Sequence, residues 1–212
     1  MVPRIPLFPV ENMTVAQIEL YGKIANGPRG QVVGPLRAAL HSTPIAERWD
    51  ALGLVLRYGL SISPRVRELA IIACGRYWNS AVEWWVHADE GYAAGIPQDV
   101  IEAIRQGRAP HLPDPLEHAV YEFTRELIQS GQVSDATYEQ AYSALGVLGL
   151  VELTSLVGYY TMVAMMLNAH HIPLPPVVDA SASWRILEGP TERPTPLAAA
   201  TGAQPAKAEQ GA

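Results

Sequence analysis

Three side chains able to move protons fall within one short stretch of this sequence, in the pattern Glu68-x11-Ser80-x2-Glu83-x3-His87. Glu83 and His87 are four residues apart, so on a helix they share a face. Their neighbours Leu69, Ile71, Ile72, Val82, Trp84 and Val86 are apolar, and charged groups are costly to bury among such residues without a purpose. General acid–base chemistry is one such purpose. An imidazole accepts and returns a proton near neutral pH, and a carboxylate beside it orients the ring and favours its charged form. Glu83 is the expected partner of His87. Glu68 lies one helix earlier, and antiparallel packing across a short connection would set it opposite the pair.

The same residues have plainer explanations. A Glu–His pair at this spacing often only supports an exposed helix, by about 0.2–0.5 kcal/mol. Glu68 could be an acid favoured near the start of its helix by the dipole. Two carboxylates and an imidazole also resemble a facial set of metal ligands. Familiar helical metal motifs such as His-Glu-x2-His are absent, and no metal is expected. Ser80 falls in a first helical turn, where free N–H groups stabilise an anion. Tyr77, Trp84 and Trp85 are candidate pocket walls, although aromatics so placed also build cores and subunit contacts. His170 closes the last helix, where a histidine suits the dipole; it reaches substrate if that end faces the same pocket. The expected site is therefore Glu68, Glu83 and His87 as catalytic residues, with Ser80, Trp84, Tyr77 and His170 around the substrate. Arg57, Arg65 and Arg67 are carboxylate clamps by chemistry alone.

Helix after helix must position these groups. Thr14 with Gln17 three later is a capping-box signal for a helix to about Asn26. Pro35 to His41 and Pro44 to Tyr58 read as helices, the second opened by its proline. Ser63-Pro64 starts one to about Tyr77. Asn79 is expected to cap the next, Ser80 to Ala94, which Gly95 ends. Pro97 to Gly107 and Asp114-Pro115 to Ser130 follow. Ser134 caps a helix to Leu145, and the last helix covers Leu148 to His170. No run alternates apolar and polar residues long enough to argue for a sheet. Residues 1–43 are expected to form an N-terminal arm with helices, 44–188 the main helical domain, and 189–212 a disordered tail rich in Pro and Ala. The first ten residues, with three prolines, are expected to lie across a neighbouring subunit.

With 49% hydrophobic residues in 212, the chain holds enough apolar material for a core of ordinary size. A net charge of −6 without a block of like charges lacks the basic footprint of a nucleic-acid binder. Val147 to Ala169 is long enough to raise the question of a membrane span. Glu152, Thr154, Ser155 and Asn168 interrupt it and flanking Lys/Arg anchors are missing, so a buried helix is the better reading. No signal peptide is evident in the first ten residues. Cys74 is the single cysteine, which rules out an intrachain disulfide and agrees with a cytoplasmic protein. Its apolar neighbours suggest a buried, unreactive thiol.

The stretch Arg67-Glu68-Leu69-Ala70-Ile71-Ile72, then Ser80-Ala81-Val82-Glu83-Trp84-Trp85-Val86-His87, then Ala93-Ala94-Gly95-Ile96 and Ile101 to Gly107 resembles the carboxymuconolactone decarboxylase family, which includes the alkyl hydroperoxidase D-type proteins. The resemblance is densest from Pro44 to Ser130 and looser from Ser134 to Leu174. Peroxidase members carry Cys-x2-Cys-x3-His with an upstream Glu. Glu68 and His87 match that Glu and His, but the two cysteine positions hold Ser80 and Glu83. Thiol–disulfide chemistry needs one sulfur to attack and one to resolve, so the decarboxylase-type members are the better match. The resemblance implies an all-α fold of the alkyl hydroperoxidase D-like type, no cofactor, a small-molecule substrate, and a homo-oligomer, commonly a trimer or hexamer. The expected function is a cofactor-independent lyase or decarboxylase acting on a small lactone or oxo-acid. A peroxidase-like redox protein and a non-catalytic ligand-binding oligomer are the alternatives.

Overall fold

The structure, a computed structural model, describes residues 2–7, 9–32, 34–174, 186–187 and 194–203. Eight α-helices are described: α1 (Val15–Ala25), α2 (Pro35–Ala39), α3 (Thr43–Tyr58), α4 (Pro64–Tyr77), α5 (Ala81–Ala93), α6 (Gln98–Arg105), α7 (Pro115–Ser130) and α8 (Asp135–His170). The all-α expectation holds, and local chemistry explains most helix starts. Thr14 and Gln17 form the reciprocal capping box. The side chains of Ser63, Asp114 and Ser134 accept from backbone N–H groups in the first turns of α4, α7 and α8.

One start differs from the sequence expectation. Asn79 does not cap α5; Ser80 does, and Asn79 sits in the left-handed region at φ 46°. The α4–α5 connection is thus three residues long, Trp78, Asn79 and Ser80, and asparagine is among the few non-glycine residues that enter this conformation readily. Asn79→Val is expected to cost about 1–2 kcal/mol, read as a lower midpoint in urea unfolding, with Asn79→Gly close to wild type. Equal stability of the two variants would refute the assignment. The expected pair of helices after Ser134 is found: α8 is two helical stretches that meet at Gly146, whose backbone (φ 63°, ψ −176°) is non-helical. A side chain there would be strained.

α4 is the central element, with eleven of its fourteen residues buried, and it packs against α5, α7 and α8. α4 and α5 run antiparallel: Glu83 lies beside Gly75, while Gly91 lies beside Glu68. Side chains from α4 point two ways. Val66, Ala70, Ile71 and Cys74 enter a large cluster with α1, α3, α7 and α8. Leu69, Ile72, Ala73 and Tyr77 enter a second with α6, Trp84 and Tyr121. α8 is long and apolar enough by length and composition to cross a membrane. Its Leu153, Leu156, Val157, Val163, Ala164 and Leu167 are buried in the protein, as in a core helix.

Both chain ends make contacts within this chain. The N-terminal arm lies on its own chain: the Arg4 N–H donates to the His170 carbonyl (2.9 Å), and Arg37 donates to the Leu7 carbonyl (2.9 Å). The tail is not disordered over residues 194–203. Leu197 is buried in the second cluster, Tyr121 donates to the Ala198 carbonyl, and Thr201–Gly202 pairs in parallel with His111–Leu112. This two-residue ladder escaped the sequence reading because it is too short to alternate.

Candidate active site

The antiparallel approach of α4 and α5 puts Glu68 against His87: the ring Nδ1 and Glu68 Oε2 are 2.7 Å apart, both side chains almost fully buried. Burial alone would raise the Glu68 pKa, but the charge and hydrogen bond of His87, followed by those of Arg67, outweigh it, and the carboxyl titrates below its ordinary value. Glu68 is thus an acceptor, Nδ1 carries the proton and donates, and Nε2 is the nitrogen left for chemistry. Nε2 has no hydrogen-bond partner among the described residues. Arg67 holds the other carboxylate oxygen of Glu68 at 3.0 Å and is itself fixed by the Arg57 carbonyl.

His87 lines a cavity of about 570 Å³ between α2, α3, α5 and α8, a size suited to a small-molecule ligand. Trp49, Val82, Trp85, Tyr160, Val163 and Leu167 supply much of an apolar wall, and Leu7 of the N-terminal arm closes part of it. The Tyr160 ring stands edge-on to the imidazole at 4.9 Å. Burial, opposed by the nearby Arg57 charge, pushes the Tyr160 hydroxyl well above its ordinary pKa, so it stays neutral. Arg57 reaches Glu90 at 2.5 Å on the same wall.

Glu83 is buried at the cavity wall but is not the partner of His87, which corrects the sequence expectation: the partner is Glu68. Neither Glu83 oxygen has a hydrogen bond. A Glu three residues after a Ser cap usually turns back to the cap N–H. Here that N–H donates to the Gly75 carbonyl (2.9 Å), and the Ser80 side chain makes no cap bond. Burial drives the Glu83 carboxyl well above the usual carboxylate range, which favours its protonated form.

None of the four side chains expected around the substrate lies in the cavity wall. Trp84 is completely buried in the second cluster with Tyr77, because position 84 faces α4 and α6 rather than α8. Ser80 is sealed at the start of α5. His170 is half-buried, with its carbonyl engaged by the N-terminal arm. Trp85, one residue on, takes the wall position. The sequence reading also missed Glu90, although three residues after His87 puts it on the same helical face, and Tyr160, which no local pattern connects to His87.

Glu68, His87 and Glu90 each offer a ligand atom, all within 4.8 Å of one another. Each of the two carboxylates also pairs with a guanidinium, from Arg67 and Arg57. The charges are therefore already balanced, which favours a proton-handling group over a cation site.

No protein-family model and no curated protein matches the sequence. Solved structures do. An alkyl hydroperoxidase AhpD core protein from Ralstonia eutropha, an uncharacterized peroxidase-related protein, is 12% identical over 83% of this chain and 94% of its own, with a TM-score of 0.66. An uncharacterized peroxidase-related protein from a Silicibacter species is 16% identical over 82% of this chain and 92% of its own, also at 0.66. An Agrobacterium tumefaciens protein of unknown function is 15% identical over 66% of this chain and 97% of its own, at 0.59. The chain therefore has the alkyl hydroperoxidase D-like all-α fold. At these identities the likeness concerns the fold, and function must be argued from the site.

Proposed function

We propose that this protein is a cofactor-independent carbon–carbon lyase, of the carboxymuconolactone decarboxylase type, that acts on a small lactone or oxo-acid. The observation that carries this reading is the buried Glu68–His87 pair with Nε2 left unbonded at the wall of an apolar cavity. In decarboxylation the bond to the carboxylate carbon breaks and CO2 leaves. The electron pair passes into the adjoining carbonyl-conjugated system. The imidazolium Nε2–H then gives its proton to carbon, and the neutral ring is recharged from water. Glu68 fixes the ring orientation and places a proton on Nδ1. The aromatic walls exclude water, which strengthens these interactions.

The redox alternative has less support in the residues. Thiol–disulfide exchange needs two sulfurs, and the single thiol, Cys74, is completely buried, with its pKa pushed well above the ordinary value by burial and by Glu83. The protein would be a soluble, cytoplasmic homo-oligomer. An exposed stripe on α8 supports assembly: Leu148, Val151, Met162 and Met165 recur at helical spacing. The test is turnover of freshly generated 4-carboxymuconolactone, followed by ultraviolet absorbance and CO2 release, with and without a chelator. Turnover indifferent to the chelator is expected. Peroxide consumption coupled to a dithiol reductant, without CO2 release, would establish the redox alternative.

A further inference from the structure

The catalytic pair above explains Glu68 and His87 but leaves Glu83 unused. A buried carboxyl with both oxygens unsatisfied is costly, and such a group in a folded protein calls for an explanation. The usual structural one, a bond back to the helix cap, is closed here because Gly75 takes the cap N–H. A second, an ion pair, is absent among the described residues: Arg29 pairs with Asp50, Arg57 with Glu90 and Arg67 with Glu68. Glu83 shares the cavity wall with His87 and Tyr160, its two oxygens sealed behind that wall until a ligand displaces it.

We propose that Glu83 acts as a neutral carboxylic acid whose O–H donates to an oxygen of the bound substrate, and that the substrate is therefore a carbonyl compound whose oxygen gains negative charge during the reaction. This rests on the lyase reading and deepens it by assigning the oxyanion donor. When the carbon–carbon bond breaks, the electron pair becomes a carbon–carbon π bond. The carbonyl π electrons move onto oxygen, and the Glu83 O–H stabilises that charge. After His87 returns a proton to carbon, the carbonyl re-forms and Glu83 keeps its own proton. Burial raises the Glu83 pKa and favours the protonated acid, and a carboxylic acid held neutral in an apolar site is a known way to make a strong donor at pH 7. The two carboxyl groups then have opposite states for opposite reasons. Glu68 is held ionised by His87 and Arg67, and burial without a cationic partner favours the neutral form of Glu83.

The test uses 4-nitrophenolate as a stand-in for the oxyanion and does not require turnover. Wild type is expected to bind the phenolate, followed by its absorbance. Glu83→Leu should weaken binding about ten- to a hundredfold, the value of one hydrogen bond to a charged group. Glu83→Gln, which keeps an N–H donor, should lose less. On unliganded protein at neutral pH, the infrared difference between wild type and Glu83→Gln should contain the carbonyl stretch of a protonated acid. No phenolate binding by wild type, equal binding by wild type and Glu83→Leu, or a carboxylate band in place of the acid band would each overturn the assignment. Failure on 4-carboxymuconolactone with these results intact would reject the lyase substrate and leave the donor role standing.

Discussion

His87→Ala is expected to reduce turnover by about 10²–10⁴-fold, the usual worth of a positioned acid–base group, with a smaller change in KM. The loss is specific because Nε2 has no other task among the described residues. The variant also removes the strongest partner of Glu68, and leaving a buried carboxylate half-paired costs about 3–5 kcal/mol in stability. Two readouts separate the effects. Added imidazole should restore part of the activity without restoring stability, and Glu68→Gln should lower activity while His87 remains in place. A His87→Ala enzyme with wild-type turnover would remove His87 from the mechanism.

Glu83→Gln is expected to be more stable than wild type in alkali and nearly equal to it in acid. In the unfolded chain Glu83 ionises near its ordinary value of about 4.5. In the folded protein burial holds it protonated to a much higher pH. Between those two values the folded state binds one proton more than the unfolded state. Each unit rise in pH there therefore costs the wild type roughly 1 kcal/mol that the amide variant does not lose. Differential stability measured by urea unfolding should widen as the pH rises above the ordinary carboxyl value of about 4.5. Other titrating groups cancel in the comparison. A difference that stays flat across this range would mean that Glu83 is ionised in the folded protein, and the donor role would fall with it.

Local signals carried most of the helix pattern. Thr14/Gln17, Ser63-Pro64, Asp114-Pro115 and Ser134 each act within one turn, so their sequence reading matches the caps observed. The Glu68–His87 pair was legible as a possibility because a short connection between two amphipathic stretches limits how they pack. Which carboxylate would meet the imidazole was not legible. Position i+4 makes Glu83 the local candidate, but a long-range contact with α4 won, set by the left-handed turn at Asn79 that fixes how α5 lies on α4. That Trp85 lines the wall and Trp84 does not has the same origin. Both are tryptophans, and only the rotation of α5 decides which is core. Tyr160 and the ordered tail near Leu197 depend on contacts across some seventy residues or more, which no window of sequence contains.

The N-terminal arm gives the cavity an uneven boundary. Three sides are helices anchored in the core, whose release requires unfolding much of the protein. The side that includes Leu7 is a strand of chain held by the backbone and side-chain bonds of Arg4, Arg37 and His41. Such attachments open at a lower free energy than core helices do. The cavity is therefore expected to open at Leu7 without global unfolding. Substitutions that loosen the first few residues are expected to change how fast a bound molecule leaves, with the catalytic pair intact.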